Sequence, residues 1–349
     1  MSYPNYSGPD VHARSKLMRR VLIRCGIGAL ILCLFLSAVW ANLAIAYQLP
    51  ASGGVRIAAC LALDLVALAA LVAVVRRSSW RALLIYAVVY AILLAWSSSI
   101  SALNDKNWAA DVVYGITGST DGDQLSARNV RNFSWRTETD YTERWEQRTY
   151  DLSKLRSLDL FLVYWMGPSI AHTIMSFGFA DGRYLDFSIE LRRTQNDQYS
   201  AVAGFFKTHE LVYIGADERD LLALRKVRNE QIQLYRLGTP PERARALLAE
   251  YIKQANDLAA RPRFYNTLTT NCTTTIFNMV RAVTASIPFD WRIILTGHLP
   301  GYLYDHGAVD TSIPLEELRQ RADVTSRIDE GLSEVEFSSR IREAVPAPR

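Results

Sequence analysis

Beyond residue 101 this 349-residue chain has a single cysteine, Cys272, so that part can close no disulfide on itself. It also lacks CxxC, HExxH, GxGxxG and GxSxG motifs, which removes the sequence grounds for a metal or nucleotide cofactor and for a serine nucleophile elbow. No stripe of Lys and Arg interleaved with aromatics occurs, and a formal charge of +4 is small for this length, which argues against nucleic acid as a partner. Internal repeats are absent too. Charge itself is missing from long stretches near the N-terminus, and there the reading turns to what is present.

Cys25–Val55 carries no charged residue, Ile57–Val75 carries only Asp64, and Ala82–Ile100 carries none. Each supplies the roughly 20 apolar residues that a bilayer-crossing helix needs. The first is too long for a signal-peptide apolar region and two more spans follow it, so it reads as a retained anchor. Arg14, Lys16, Arg19, Arg20 and Arg24 precede the first span, and Arg76, Arg77 and Arg81 lie between the second and third, against Arg56 alone in the intervening loop. Basic flanks stay cytoplasmic. The expected division is a disordered cytoplasmic basic tail over residues 1–20, a three-helix transmembrane region over 21–101, and a domain over 102–349 on the far side, periplasmic in a bacterium. An acid in mid-span is costly; Asp64 is expected to bond to Asn42, Ser37 or Tyr90, with a functional role and a packing role both open.

The soluble part reads as α+β. The Gly/Asp/Ser-rich stretch Tyr114–Asp123 suggests strands joined by turns, and Asp159–Trp165 is a buried strand by its continuous apolar run. His172–Phe179 and Arg183–Glu190 flank Ala180-Asp181-Gly182, a tight-turn signal that predicts a hairpin. Glu210–Ile214 and Gln231–Leu237 predict strands around a short helix, Glu218–Val227. Thr239-Pro240-Pro241-Glu242 starts a helix that runs to about Ala259. From Cys272 to about Thr284 the spacing of Ile276, Phe277, Val280 and Val283 predicts a helix packed by one face. The last predicted helix lies near Pro314–Ala322.

Cys272 falls in Phe264-Tyr265-Asn266-Thr267-Leu268-Thr269-Thr270-Asn271-Cys272-Thr273-Thr274-Thr275. Asn271 is a helix N-cap candidate, which places Cys272 in the first turn, where the helix dipole favours a thiolate. Backbone N–H groups there, with Asn271, Thr273 and Ser188 as support, are candidates for stabilising an oxyanion. A thiol nucleophile and a buried structural cysteine both remain open from the residues alone. A base is needed for the first of these. His172 starts the hairpin after a Gly-Pro break; Asp186, Ser188 and Glu190 alternate on the opposing strand and share one face. Glu190 is the favoured group to orient the imidazole, with Ser188 second; a strand-end cap for His172 and an ion pair to Arg192 or Arg193 for Glu190 are the plainer alternatives. His209 is a weaker candidate base, and His298 and His306 read as surface residues.

Asp159–Arg193, with its YWMGPSIAHTIMSFGFADGRYLDFSIELRR run, and FYNTLTTNCTTT over Phe264–Thr275 resemble the Lnb N-terminal periplasmic domain, as do Asn129–Phe133 and Asp217–Asp220. The resemblance extends over most of residues 105–345. It implies a permuted papain-like fold of the NlpC type, in which the histidine strand precedes the cysteine helix, with Cys272 as nucleophile, His172 as base and Glu190 as orienter. The family's namesake is a lipoprotein N-acyltransferase of the bacterial envelope. That implies an acyl-Cys272 thioester, inner-membrane residence, and membrane lipids and lipoproteins as partners. The namesake's membrane helices follow its catalytic domain, whereas three precede it here.

Three functional classes follow: a membrane-anchored thiol acyltransferase, a periplasmic cysteine peptidase or amidase acting on peptidoglycan or another envelope amide, and a non-catalytic envelope scaffold with an inert thiol. The aromatic-rich segment Ile287–Tyr304 (Phe289, Trp291, Tyr302, Tyr304) either contacts acyl chains or packs the core, the commoner role. Oligomeric state is not legible.

Overall fold

The computed structural model describes residues 11–195, 197, 200–284 and 287–348, with side chains from residue 17 onward. The chain divides into two compact units at Ser101/Ala102. In the first unit lie α1 (Val11–Gln48), α2 (Gly53–Arg76) and α3 (Trp80–Ser99). All three are long and apolar enough to cross a membrane. Helix α1 takes in residues 11–20, which corrects the expectation of a disordered tail there: the basic residues simply extend the helix. Residues 1–10 of that tail lie outside the described residues. Asp64 accepts a hydrogen bond from Asn42 Nδ2 at 2.7 Å, while Ser37 pairs instead with the Tyr86 hydroxyl at 2.7 Å and Tyr90 stacks on Tyr86.

The second unit is built on β1 (Thr117–Asp121), β2 (Gln124–Arg131), β3 (Ser134–Trp135), β4 (Tyr141–Thr142), β5 (Trp145–Asp151), β6 (Leu155–Tyr164), β7 (Ala171–Phe179), β8 (Tyr184–Arg192), β9 (Glu210–Ala216) and β10 (Gln231–Leu237). Eight of these form one sheet in the order β1-β2-β9-β8-β7-β6-β10, with β5 on β2; β3 and β4 pair separately. The centre, β6 to β9, is an antiparallel meander. Its β7–β8 hairpin turns through Asp181 and Gly182, whose φ of +83° is a left-handed value that glycine adopts without a Cβ clash.

Helices cover both faces: α4 (Glu218–Val227), α5 (Pro241–Ala260), α6 (Cys272–Val283), α7 (Leu299–Asp305), α8 (Leu315–Ala322) and α9 (Glu334–Ile341). Alternation along the strands sorts the cores. Leu158, Leu160 and Leu162 of β6 face α5 and α6 with Met175, Phe177 and Phe187. Phe161, Val163 and Ile174 face the other way, against α4 and α9 through Leu221, Leu222, Phe337 and Ile341. Burying side chains of this size removes about 1.5–3 kcal/mol each from water, so the hairpin is held from both sides. Helix α9 follows the last predicted helix and goes beyond the sequence reading; Ser333 and Glu336 close its capping box.

The segments 129–133 and 217–220 meet in this fold. Asp220, fully buried, accepts from Arg131 Nε and Nη2 at 2.9 and 3.0 Å, from the Phe133 N–H at 2.8 Å and from Trp135 Nε1 at 2.8 Å. Four donors satisfy the carboxylate, which is what a buried charge requires. The cluster pins the start of α4 to the end of β2.

Candidate active site

Asn271 caps α6. Its Oδ1 accepts the Thr274 N–H at 2.8 Å, and Thr274 Oγ1 accepts the Asn271 N–H at 3.1 Å, a reciprocal box. Asn271 Nδ2 donates to the Thr267 carbonyl at 2.8 Å. Both ends of this amide are therefore engaged in shaping the helix start. Its support to the site is through the position of Cys272 and not as a donor to substrate. Cys272 occupies the first turn, 9% exposed, facing a cavity of about 450 Å³ that is also bordered by His172, Glu190, Arg225, Tyr265 and Thr296.

His172 is the second residue of β7, on the strand face it shares with Ser176 and, across the hairpin, with Asp186, Ser188 and Glu190. Its Nε2 lies 2.6 Å from Ser188 Oγ and 3.4 Å from Glu190 Oε1. Ser188 donates its hydroxyl to Glu190 Oε1 at 2.7 Å. A hydroxyl that donates to a carboxylate has its lone pairs left for the imidazole, so Nε2 carries a proton that it donates to Ser188. That leaves Nδ1 as the nitrogen open to the thiol, and His172 and Cys272 act on each other as opposite charges. Glu190 also accepts from Arg225 Nη2 at 2.5 Å. The result is one chain of contacts: Cys272, His172, Ser188, Glu190, Arg225.

The electrostatics follow from that chain. Burial opposes charge on Cys272, but His172 first and then the side chain and backbone of Thr173 outweigh it and lower the thiol to about 6. Burial likewise works against the imidazolium, and the charges of Glu190 and Cys272 overcome it, lifting His172 to about 9. Glu190 is held well below the usual carboxylate range, because His172 and Arg225 outweigh its own desolvation. Between these two values the thiolate–imidazolium pair is the main form, so the thiol is ready to attack and the imidazolium ready to give a proton.

The loop before the hairpin is fixed as firmly. Thr296 Oγ1 donates to the Ala171 carbonyl at 2.6 Å and accepts its N–H at 2.7 Å. Gly297 donates to the Ser169 carbonyl at 3.0 Å, and a Cβ on it would stand 2.1 Å from the Pro168 oxygen. Both contacts fix the residues just ahead of His172.

Other sequence candidates go elsewhere. Asp186 lies deeper on the same strand, where burial and the Glu218 carboxylate push it well above its usual range; its electrostatic neighbours are Glu218 and Arg342, not His172. Glu190 pairs with Arg225, so neither Arg192 nor Arg193 is its partner: Arg192 bonds to the Val112 and Val113 carbonyls and Arg193 to Asp111. His209 is buried with Nδ1 3.0 Å from Thr208 Oγ1. His298 is half-buried, its Nε2 3.1 Å from Ser169 Oγ, and His306 is exposed. Ser188, expected as support for an oxyanion, sits between the imidazole and Glu190. Thr273 Oγ1 faces Thr173 Oγ1 at 3.2 Å and the Cys272 sulfur at 3.7 Å. Sequence reasoning missed Arg225 and Thr296. Helical spacing foretells α4 but not which of its cations meets Glu190, and a lone Thr in a Gly/Pro-rich loop carries no signal.

Residues 141–297 match the family model of the Lnb N-terminal periplasmic domain. The match is narrower than the resemblance over 105–345: it begins after Asn129–Phe133 and ends at the loop that holds Ala171. It takes in Cys272, His172, Ser188, Glu190 and Arg225 together. No curated protein and no solved structure matches the chain. Three helices long and apolar enough to cross a membrane, followed by a domain whose residues 141–297 match the Lnb N-terminal periplasmic domain, make this chain an inner-membrane protein with a periplasmic domain.

Proposed function

We propose that the chain is a membrane-anchored, thiol-dependent acyltransferase of the bacterial envelope that works through an acyl-Cys272 thioester, on a permuted papain-like domain. The observation that carries this reading is the Cys272–His172 pair, a thiol lowered to about 6 at a helix N-terminus on the wall of a cavity. The N-terminus is expected on the cytoplasmic side, from the basic flanks of the spans.

The steps follow from the geometry. The Cys272 thiolate attacks the carbonyl carbon of an acyl ester, and the developing oxyanion is met by N–H groups of the first turn of α6, which have no intrahelical acceptor. Collapse expels the alcohol, which takes the proton from His172 Nδ1 and leaves the thioester. An amine then attacks the thioester, Nδ1 accepts its proton, and the C–S bond breaks to give an amide and the free thiol site. Throughout, Ser188 and Glu190 hold the Nε2–H, so the ring keeps one orientation while Nδ1 is charged and discharged. Lipoprotein α-amines are the acceptors that the family resemblance implies.

Intact-protein mass spectrometry of the full chain after incubation with bacterial envelope membranes tests this. The expected result is a long-chain acyl mass on Cys272 that neutral hydroxylamine removes and that Cys272→Ala lacks. A peptide fragment on Cys272 would replace transfer with amide hydrolysis. An unmodified, slowly alkylating Cys272 would leave a scaffold.

A further inference from the structure

The first turn of α6 has a second side. Cys272 lines the cavity described above, whereas Thr273 lines another, of about 440 Å³, on the opposite side of that turn. The same division holds on β7, where His172 faces the first cavity and Thr173 the second. The Thr173–Thr273 hydroxyl pair, 3.2 Å apart, is therefore the partition between them. Between this pair and a rim that includes Thr239, Arg243, Thr284 and His306, the second cavity is walled mainly by hydrocarbon: Leu158, Leu160, Met175, Ile276, Val280 and Leu303 among others. Its volume falls in the range of ligand sites, and a hollow of this size in a close-packed domain forfeits dispersion contacts until something fills it.

An exposed apolar surface adjoins this cavity. Phe277, on its wall, packs edge-on against Phe289 at 6.0 Å, and Phe289 and Trp291 are exposed, while Ile294 of the same loop borders the first cavity. Exposed apolar groups clustered this way mark contact with another apolar body. Arg243 and His306 are exposed polar groups on the rim.

We propose that this cavity holds the hydrocarbon tail of a single linear long-chain acyl group, with the carboxyl end at the Thr173–Thr273 pair, beside Cys272. A stretch of aliphatic wall between the threonine hydroxyls beside Cys272 and a polar rim suits a chain with one polar terminus and a long apolar tail, and suits a peptide or a sugar poorly. The inference rests on the acyl-transfer reading for the identity of its ligand, and its test does not depend on turnover.

The full chain with Cys272→Ala, in lipid nanodiscs, is irradiated with a diazirine-bearing palmitate and the labelled peptides are mapped. Labels are expected within Ile276–Val283 and Leu299–Ala308 and are competed by palmitate but not by butyrate. Val280→Trp fills the middle of the cavity and is expected to cut this labelling by roughly tenfold for every two methylenes it excludes, at an unchanged circular-dichroism melt. Ala308→Phe intrudes from the opposite wall and serves if Val280→Trp does not fold. Labels confined to other segments, or undiminished in the folded filling variants, overturn the proposal. Labelling of the cavity with no thioester on the native chain keeps this inference and removes acyl transfer; a thioester with no labelling of the cavity does the reverse.

Discussion

Two clusters of buried charge lie on the same face of β7 and β8, and they differ in what borders them. One is the His172, Ser188, Glu190 and Arg225 chain at the open end of the hairpin, beside a thiol and a cavity. The other is a row one strand-turn deeper, where Asp159 pairs with Ser176 and Ser176 with Asp186 across the strands. Glu218 and Arg342 close over that row: Arg342 reaches Glu218 Oε1 at 2.6 Å and Asp159 Oδ2 at 2.8 Å, and Ser176 donates to Glu218 at 3.0 Å. Both clusters shift the behaviour of their acids. Burial raises Asp159 and Asp186 in the closed row, whereas at the open end paired cations hold Glu190 low. Perturbed carboxyls therefore do not by themselves mark the reactive site; a nucleophile and a cavity beside them do.

The largest expected effect falls on the closed row. Arg342→Ala leaves Asp159 and Glu218 buried without their shared cation, and is expected to cost about 3–5 kcal/mol of stability. Thermal or denaturant unfolding of the soluble unit measures it, and the alkylation rate of Cys272 in the folded fraction should stay put. A shift of the thiol's pH profile in this variant would break the distinction between the two clusters.

His172→Ala should do the opposite. Without the imidazolium the thiol returns toward its ordinary range near 9, so the thiolate fraction at neutral pH, and with it iodoacetamide labelling, should fall by roughly 50–100-fold. The unfolding midpoint should move little. In the native chain, labelling should rise with pH through about 6 as Cys272 deprotonates, and acyl transfer should fall again through about 9 as His172 loses its charge. That is a bell whose acid limb belongs to the thiol and whose alkaline limb belongs to the imidazole.

Glu190→Gln comes next. Removing the carboxylate takes away the largest upward influence on His172, so the alkaline limb should move to lower pH and transfer at pH 8 should drop by roughly 10–100-fold. Arg225 loses its 2.5 Å partner and keeps Glu230 at 3.8 Å, so some stability goes as well. The pH profile separates the two effects, since a purely structural loss scales the bell without moving it.

These clusters were unequally legible in sequence. The hairpin followed from Asp181-Gly182, the helix start from Asn271, and the shared face of Asp186, Ser188 and Glu190 from strand alternation. His172 and Cys272 were paired by triad logic and family resemblance together. Alternation gives a face but not a depth, so it could not separate Asp186, sealed under Arg342, from Glu190, open to the cavity. Arg225 depends on how α4 sits over β8, which is set by the four-donor cluster at Asp220 and not by anything local to Arg225. The same holds for Arg342, at the C-cap of α9, 183 residues from Asp159 along the chain.

The smallest effect is the sharpest probe of the open cluster. Ser188 is fully buried and donates to Glu190 while accepting from His172. If it is a relay, Ser188→Ala removes a hydrogen bond but not a charge. Glu190 Oε1 already lies 3.4 Å from Nε2, and a shift of a few tenths of an ångström makes a direct bond. The imidazolium then keeps its counter-charge, and the alkaline limb should stay near 9. Transfer should fall by only about 3–10-fold, the loss of one net hydrogen bond. Ser188→Ala together with Glu190→Gln should be no worse than Glu190→Gln alone, because the serine acts only through the carboxylate. Additive losses in that double-mutant cycle would mean that Ser188 acts on substrate directly, as an oxyanion donor, and would redraw the boundary of the site.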